Sequence, residues 1–138
     1  MNMVIPNAGK EMFLDRCMTG GSYEDVKVEL YTNNYTPIDS SVTADFTAAT
    51  FTGSGPITLT AGDWDAVVIV SNVAEQQALV APEWTHGGGA AQVCYGWFMY
   101  GDSTGTIYAA QRFDTARNMT PGSIESLDPF KFKLKTFV

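Results

Sequence analysis

The single histidine of the chain, His86, is the strongest candidate for general-base catalysis. Histidine changes its charge near neutral pH, so it can activate a serine or cysteine nucleophile. It occurs in the segment EWTHGGGAAQ, which contains no G-x-S-x-G nucleophile elbow. The neighbouring glycines favour a mobile loop with an exposed histidine, and the alternative is a catalytic pair of His86 with Cys94.

The two cysteines, Cys17 and Cys94, lack the spacing that a metal site needs. They are far apart, form no C-x-x-C pair and share the chain with one histidine. Cys94 lies in VCYGWFMY, a predicted core strand in which a thiol behaves as a small inert hydrophobe. We therefore expect two free, buried cysteines and no metal.

Asp63 and Asp65, in the segment GDWD, form a close pair of carboxylates. In an extended chain they lie on the same side, about 6.6 to 6.8 Å apart, which suits an inverting hydrolase or a hard cation. A Ca²⁺ site would need several more oxygen ligands. An acidic turn before a buried strand also accounts for both residues, and an enzyme that uses Asp63, Asp65 or His86 stays as an alternative.

Aromatic side chains offer a platform for a sugar ring, because their faces stack and their polar tips form hydrogen bonds. One alternative is that Trp84, His86 and Tyr108 are exposed and contact a ligand such as a glycan. The segment HGGGAA lacks the Lys and the Ser or Thr that complete a P-loop. No cofactor is predicted.

The charge balance argues against nucleic-acid and membrane partners. Fifteen acidic residues and eight basic ones give a formal net charge of −7. Such a chain repels phosphate backbones and anionic lipid surfaces. The one basic concentration, FKFKLKTFV, is typical of a strand with Lys131, Lys133 and Lys135 on one face.

The length of 138 residues fits a single domain, 1–138, with one hydrophobic core. The start, MNMVIPNAGKEMFLDRCM, has no basic region followed by a continuous apolar stretch, and no segment approaches about 18 consecutive apolar residues. We expect a soluble protein made in the cytoplasm, with no signal peptide and no membrane span.

Alternation and turn residues predict the strands that position these side chains. VKVELY places Val26, Val28 and Leu30 on one side, which is the period of a half-buried strand. DAVVIVSNV is a continuous apolar run, which predicts a strand buried on both faces. GDSTG has the composition of a hairpin loop. Further predicted strands are ATFTG, PITLTAG, QALVAPEWT, AAQVCYGWFMYG, GTIYAAQRFD and FKFKLKTFV.

Two short segments have helical spacing. NAGKEMFLDRCM predicts a short N-terminal helix in an arm, 1–22, and Val42, Phe46 and Ala49 predict a helical excursion with Phe46 as its buried plug. Strands about eight to twelve residues apart predict an antiparallel sandwich or barrel. The predicted class is therefore all-β, with these two helical additions.

The segment 28–64, VELYTNNYTPIDSSVTADFTAATFTGSGPITLTAGDW, resembles a recurrent segment in small structural proteins of tailed bacteriophages. The shared features are a strand ending in LYTNN, then TP with an acid at Asp39, then ADFTAATFTG and TLT before a tryptophan. The later YGWFMYGD and AAQRFD are similar to two further strands of that family. The chain departs from the family at Ser54 and Gly55, where a larger residue is usual.

This resemblance implies an antiparallel β-sandwich, which we predict to be of jelly-roll type. It also implies a non-enzymatic virion protein, a cement or decoration protein that binds the major capsid protein and forms trimers on the capsid surface. The alternative is a tail or head-fibre protein that contacts host glycans. Adaptable apolar residues of the arm are the predicted protein interface, although they also suit covering one end of the sandwich. These residues are Met3, Ile5, Met12 and Phe13.

Overall fold

The computed structural model describes residues 3–11, 24–71 and 73–135, and it confirms a mostly β chain with antiparallel sheets. These ranges also contain two short 3-10 helices, at Thr43–Asp45 and Ala61–Asp63, and helical residues at 7–11. No helix in them is long and apolar enough to cross a bilayer. The strands are β1 (Val26–Tyr31), β2 (Ile57–Leu59), β3 (Val68–Val70), β4 (Val73–Gln77), β5 (Glu83–Thr85), β6 (Gln92–Gly101), β7 (Ile107–Met119), β8 (Ile124–Ser126) and β9 (Lys131–Lys135).

A four-stranded antiparallel sheet has the strand order β2-β1-β6-β7. The alternation predicted for β1 is confirmed, because Val26, Val28 and Leu30 are all buried in the main core. The predicted hairpin loop at GDSTG joins β6 to β7. There the Gly105 N–H donates a hydrogen bond to the Gly101 carbonyl oxygen at 2.9 Å.

The segment 96–99 of β6 is buried on both faces of this sheet. Trp97 packs into the main core, whereas Phe98 packs into a second, smaller core on the opposite face. Gly96 lies where β6 passes close to the Tyr31 ring and the Gln111 carbonyl oxygen, and an added Cβ would overlap both. A glycine is therefore required at this close approach.

Two smaller sheets, β3-β4-β9 and β5-β8, contribute to the same main core. Trp84 of β5 is buried within it, and Phe132 of β9 packs against it. Phe130, just before β9, lies with its ring centroid 4.6 Å from that of Trp97. Strand β8 was not predicted, because a segment of three residues with one apolar side chain is too short to show the alternation of a strand.

The prediction that DAVVIVSNV is buried on both faces is wrong. Within it, β3 pairs with β4 and forms the edge of its sheet in the described structure. Val68, Ile69 and Val70 are exposed. A continuous apolar run indicates burial only when layers cover both faces of the strand, and the sequence does not show whether they do.

The helical excursion after β1 is a single 3-10 turn. Phe46 is its buried plug, as predicted: its ring stacks on Phe98 with centroids 4.9 Å apart and meets Tyr31 edge-on at 5.1 Å. Val42 is 50% exposed, so its predicted place on the apolar face is wrong. Residues four apart do not share a face in a helix with three residues per turn.

Candidate functional site

His86 is buried, so the expectation of an exposed histidine is wrong. Only 1% of its surface is accessible. Its Nδ1 accepts a hydrogen bond from the Gly88 N–H at 3.2 Å, which leaves Nε2 to donate to the Ala90 carbonyl oxygen at 3.1 Å. Because the loop backbone engages both ring nitrogens, neither is placed to act as a general base.

The glycine-rich loop is fastened to the segment around Thr52, in contrast to the mobile loop that was expected. The Thr52 N–H donates to the Gly88 carbonyl oxygen at 3.2 Å, and the Gly87 N–H donates to the Thr52 carbonyl oxygen at 2.7 Å. Gly53 has a φ of +95°, and a Cβ there would overlap the Thr85 carbonyl oxygen. Here glycine permits a close backbone approach.

Cys94 is a free, buried thiol, as predicted. Burial, together with a smaller effect of the Glu125 carboxylate, raises the pKa of this thiol to about 11. Because only the thiolate is nucleophilic, Cys94 is inert at neutral pH. Cys17 lies outside the described residues, so its state stays a prediction.

Asp63 and Asp65 bond to the backbone of their own turn. Asp63 Oδ2 accepts hydrogen bonds from the Thr60 N–H at 2.7 Å and from the Thr60 hydroxyl at 3.0 Å. Asp65 Oδ1 accepts one from the Ala66 N–H at 2.8 Å. Both carboxylates therefore stabilise the turn that precedes β3.

In the described part of the chain, no three His, Cys, Asp or Glu side chains are grouped to hold a metal ion.

Trp84 and Tyr108 are buried as well, which counts against the alternative of an exposed platform for a glycan. Trp84 Nε1 donates to the Gly55 carbonyl oxygen at 3.1 Å, and the Tyr108 hydroxyl donates to Glu24 Oε1 at 2.9 Å. An aromatic ring with a polar tip can be buried when the fold supplies a partner for that tip. Such partners lie far away in the sequence.

Glu24 organises the loop between β6 and β7, a role that no sequence pattern indicated. Its Oε2 accepts hydrogen bonds from the N–H groups of Ser103 and Thr104 at 2.9 and 3.0 Å, and its Oε1 accepts one from the Thr104 hydroxyl at 2.6 Å. Burial raises the pKa of this carboxyl, but the hydrogen bonds from Thr104, Tyr108 and Ser103 outweigh burial and lower it. Glu24 and Thr104 are 80 residues apart in sequence.

Residues 3–11 lie against the body of the protein. Val4 exchanges two backbone hydrogen bonds with Ala110 of β7, at 2.7 and 2.9 Å. Met3 packs against the main core, and Ile5 is half-buried. These contacts favour the alternative in which the segment covers part of the fold. The other predicted interface residues lie outside the described ranges: Met12 and Phe13.

A cleft of about 390 Å³ lies beside the end of β7 and the segment that joins β8 to β9. Its Arg117 forms an ion pair with Glu125 at 3.4 Å and lies over the Phe113 ring, 5.5 Å from the centroid. Its Lys131 lies 3.6 Å from Glu75. Because Glu125 and Glu75 already form ion pairs with Arg117 and Lys131, the cleft has no strong preference for an anionic ligand.

An exposed apolar surface lies on the hairpin formed by residues 63–79, which contains β3 and β4. Residues 67–70 each have between 50% and 69% of their surface accessible, and Leu79 is similarly exposed. The Leu79 N–H donates to the Asp63 carbonyl oxygen at 2.7 Å, which closes the base of the hairpin. We call this surface the apolar hairpin. A run of consecutive exposed apolar side chains favours a site of protein interaction.

The two edges of the β3-β4-β9 sheet differ in charge. On β9, Lys131 and Lys133 lie 3.6 and 2.9 Å from Glu75. Residues 66–70, which include β3, have no charged side chain. Since lysines on an edge strand oppose the addition of another strand, β3 is the edge better suited to accept one.

Comparison of the sequence with models of known protein families found no match, and comparison with curated proteins found no significant match. Function is therefore inferred from the residues themselves. Among the features above, the exposure of the apolar hairpin is not explained by contacts within the described residues.

Proposed function

We propose that this chain is a non-enzymatic structural protein of a tailed bacteriophage virion. In this role it is a cement or decoration protein that binds the major capsid protein and stabilises the head. The exposure of residues 67–70 on the apolar hairpin carries the proposal, because a protein that works by adhesion needs an apolar surface of this kind. The similarity of segment 28–64 to small phage structural proteins supplies the virion context.

The residues that could have served in catalysis make contacts that support a non-enzymatic role. His86 bonds through both ring nitrogens to loop backbone. Asp63 and Asp65 accept hydrogen bonds from their own turn. Cys94 is buried, and its raised pKa keeps the thiol protonated. Each residue thus has a structural role that needs no substrate.

The proposed fold is a β-sandwich of jelly-roll type. Contacts between side chains of different sheets support it, because sheets that pack face to face interdigitate their inner side chains. Trp97 of β6 contacts Phe130, whose ring centroid is 4.6 Å away. Phe132 of β9 packs against the main core, which contains Val26 and Val28 of β1.

The proposal also includes synthesis in the cytoplasm of the host bacterium and assembly as homotrimers on the capsid surface. The free thiol of Cys94 is compatible with a reducing compartment. Repeated contacts in a symmetric shell multiply a modest interface into a stable assembly. No nucleic acid, membrane or cofactor takes part in this function.

Co-sedimentation with empty phage heads tests the proposal. The wild-type protein should bind saturably, and Ile69→Lys should weaken binding by roughly tenfold or more, because it places a charge at the centre of the apolar surface. Ile124→Lys is the matched control, since Ile124 of β8 is also exposed, at 60%. It should bind like the wild type. Wild-type protein that remains in the supernatant contradicts the proposal.

A further inference from the structure

The apolar hairpin contains a strand edge that is open in the described structure. Val68, Ile69 and Val70 of β3 are in register with β4 on one side, and no described strand lies on the other. An edge strand presents a row of backbone N–H and C=O groups that can pair with a further strand. Its apolar side chains point to both faces and are exposed on both.

The sequence around β3 is suited to pairing with itself. Residues 66–70 are a continuous apolar run whose midpoint is Val68. In an antiparallel pair of two copies centred on Val68, each Val67 faces Ile69 of the other copy, so the cross-strand pairs are apolar. Asp65 then faces Ser71 rather than a second acid. A shift of one residue towards the N-terminus would place Asp65 opposite Ile69.

Charge favours contact between two copies at this place. The chain has a formal net charge of −7, so two copies repel each other across most approaches. Residues 66–74 carry no charge, and the next residue, Glu75, is paired with Lys131 and Lys133. At the tip of the apolar hairpin, two negatively charged copies can therefore approach each other without placing acidic side chains opposite one another.

We propose that β3 pairs antiparallel with β3 of a second copy of this chain, about a two-fold axis at Val68. Two three-stranded sheets then form one six-stranded sheet. This inference rests on the proposed function: it assigns the apolar hairpin to the contact between copies, and paired copies bind a head more tightly than single ones because their capsid contacts act together. Because such a contact uses the same patch on both sides, it closes after two copies. It pairs single chains, or it pairs two of the proposed trimers into a particle of six chains.

Light scattering of the purified protein without heads tests the contact. The wild-type particle should contain an even number of chains, Ile69→Lys should halve its mass, and Ile124→Lys should leave the mass unchanged. A particle with an odd number of chains, or a mass that Ile69→Lys does not change, overturns the inference.

Head binding distinguishes failure of this inference from failure of the proposed function. An even-numbered wild-type particle that Ile69→Lys halves, but that does not bind heads, supports the β3 contact and contradicts the cement role. A wild-type particle whose mass Ile69→Lys leaves unchanged, but whose head binding it abolishes, overturns the β3 contact. The capsid protein is then the partner of the apolar hairpin.

Disulfide cross-linking tests the register without a charged substitution. In a Cys17→Ser background, Val68→Cys places a thiol opposite the same thiol of the second copy, with Cβ atoms about 4.5–5.5 Å apart. Mild oxidation should then give a covalent dimer, whereas Ile124→Cys should stay monomeric on a denaturing gel. No dimer at position 68, or equal dimer formation by the two variants, overturns the proposed register.

Discussion

The imidazole of His86 lies flat on the phenyl ring of Phe51, with the ring centroids 4.5 Å apart and 10° between the planes. Both side chains are buried. The stack connects the glycine-rich loop to the segment around Phe51. The backbone hydrogen bond from Thr52 to Gly88 connects the same two segments. The only histidine of the chain is therefore a structural residue that fastens two distant segments.

His86→Ala should lower the free energy of unfolding by roughly 2–4 kcal/mol, because it leaves a cavity beside Phe51 and removes two hydrogen bonds. Urea unfolding followed by tryptophan fluorescence measures this loss. Asp39→Ala is the control, since the Lys10–Asp39 ion pair is exposed, and its effect should stay within about 0.5 kcal/mol. Equal effects of the two substitutions would contradict a structural role for His86.

Glu24→Gln should destabilise the protein more at pH 7 than at pH 3. The folded-state pKa of Glu24 lies below its usual value of 4.5, so the charged carboxylate contributes stability above that value and loses it as the pH falls through the folded pKa. At pH 7 we expect a loss of roughly 1–3 kcal/mol from hydrogen bonds to a charged group.

Urea titrations of the wild type and Glu24→Gln at both pH values measure this difference. Tyr108→Phe removes one of the hydrogen bonds to Glu24 and should show a smaller loss with the same pH trend. A loss from Glu24→Gln that is equal at pH 7 and pH 3 would count against the carboxylate as its source.

Cys94 should not react with a thiol reagent in the native protein. With a pKa of about 11, roughly one thiol in a thousand is ionised at pH 8, and the sulfur is buried. In a Cys17→Ser variant, a colorimetric disulfide reagent should detect the thiol only after the protein unfolds in guanidinium. Reaction in the native state as fast as that of a free cysteine would exclude this environment for Cys94.

Phe46→Ala should cost roughly 3–5 kcal/mol, because Phe46 fills the smaller core between Phe98, Tyr31 and Tyr35. Val42→Ala, at an exposed residue of the same excursion, should change stability by less than about 0.5 kcal/mol. Thermal unfolding of the two variants gives the comparison. Similar losses would mean that the excursion contributes as a whole rather than through its plug.

The sequence by itself determined the mostly β class, the burial of Val26, Val28 and Leu30, and the hairpin loop at GDSTG. These features are local: the alternation of a pleated strand and the composition of a tight turn depend on neighbouring residues alone. It also identified Phe46 as the plug of the excursion, because a large aromatic side chain favours burial, and Cys94 as a buried thiol, because its neighbours in the strand are apolar.

Only the tertiary structure decided the burial of His86 and the role of Glu24. Each depends on partners that are distant in the sequence, such as Thr104, which lies 80 residues from Glu24. The local sequence does not indicate which distant residues will be in contact. The exposure of β3 was decided in the same way. The same apolar run can form a buried strand or an exposed edge strand. The surrounding layers and strands determine whether water reaches its side chains, and the sequence of the run does not show them.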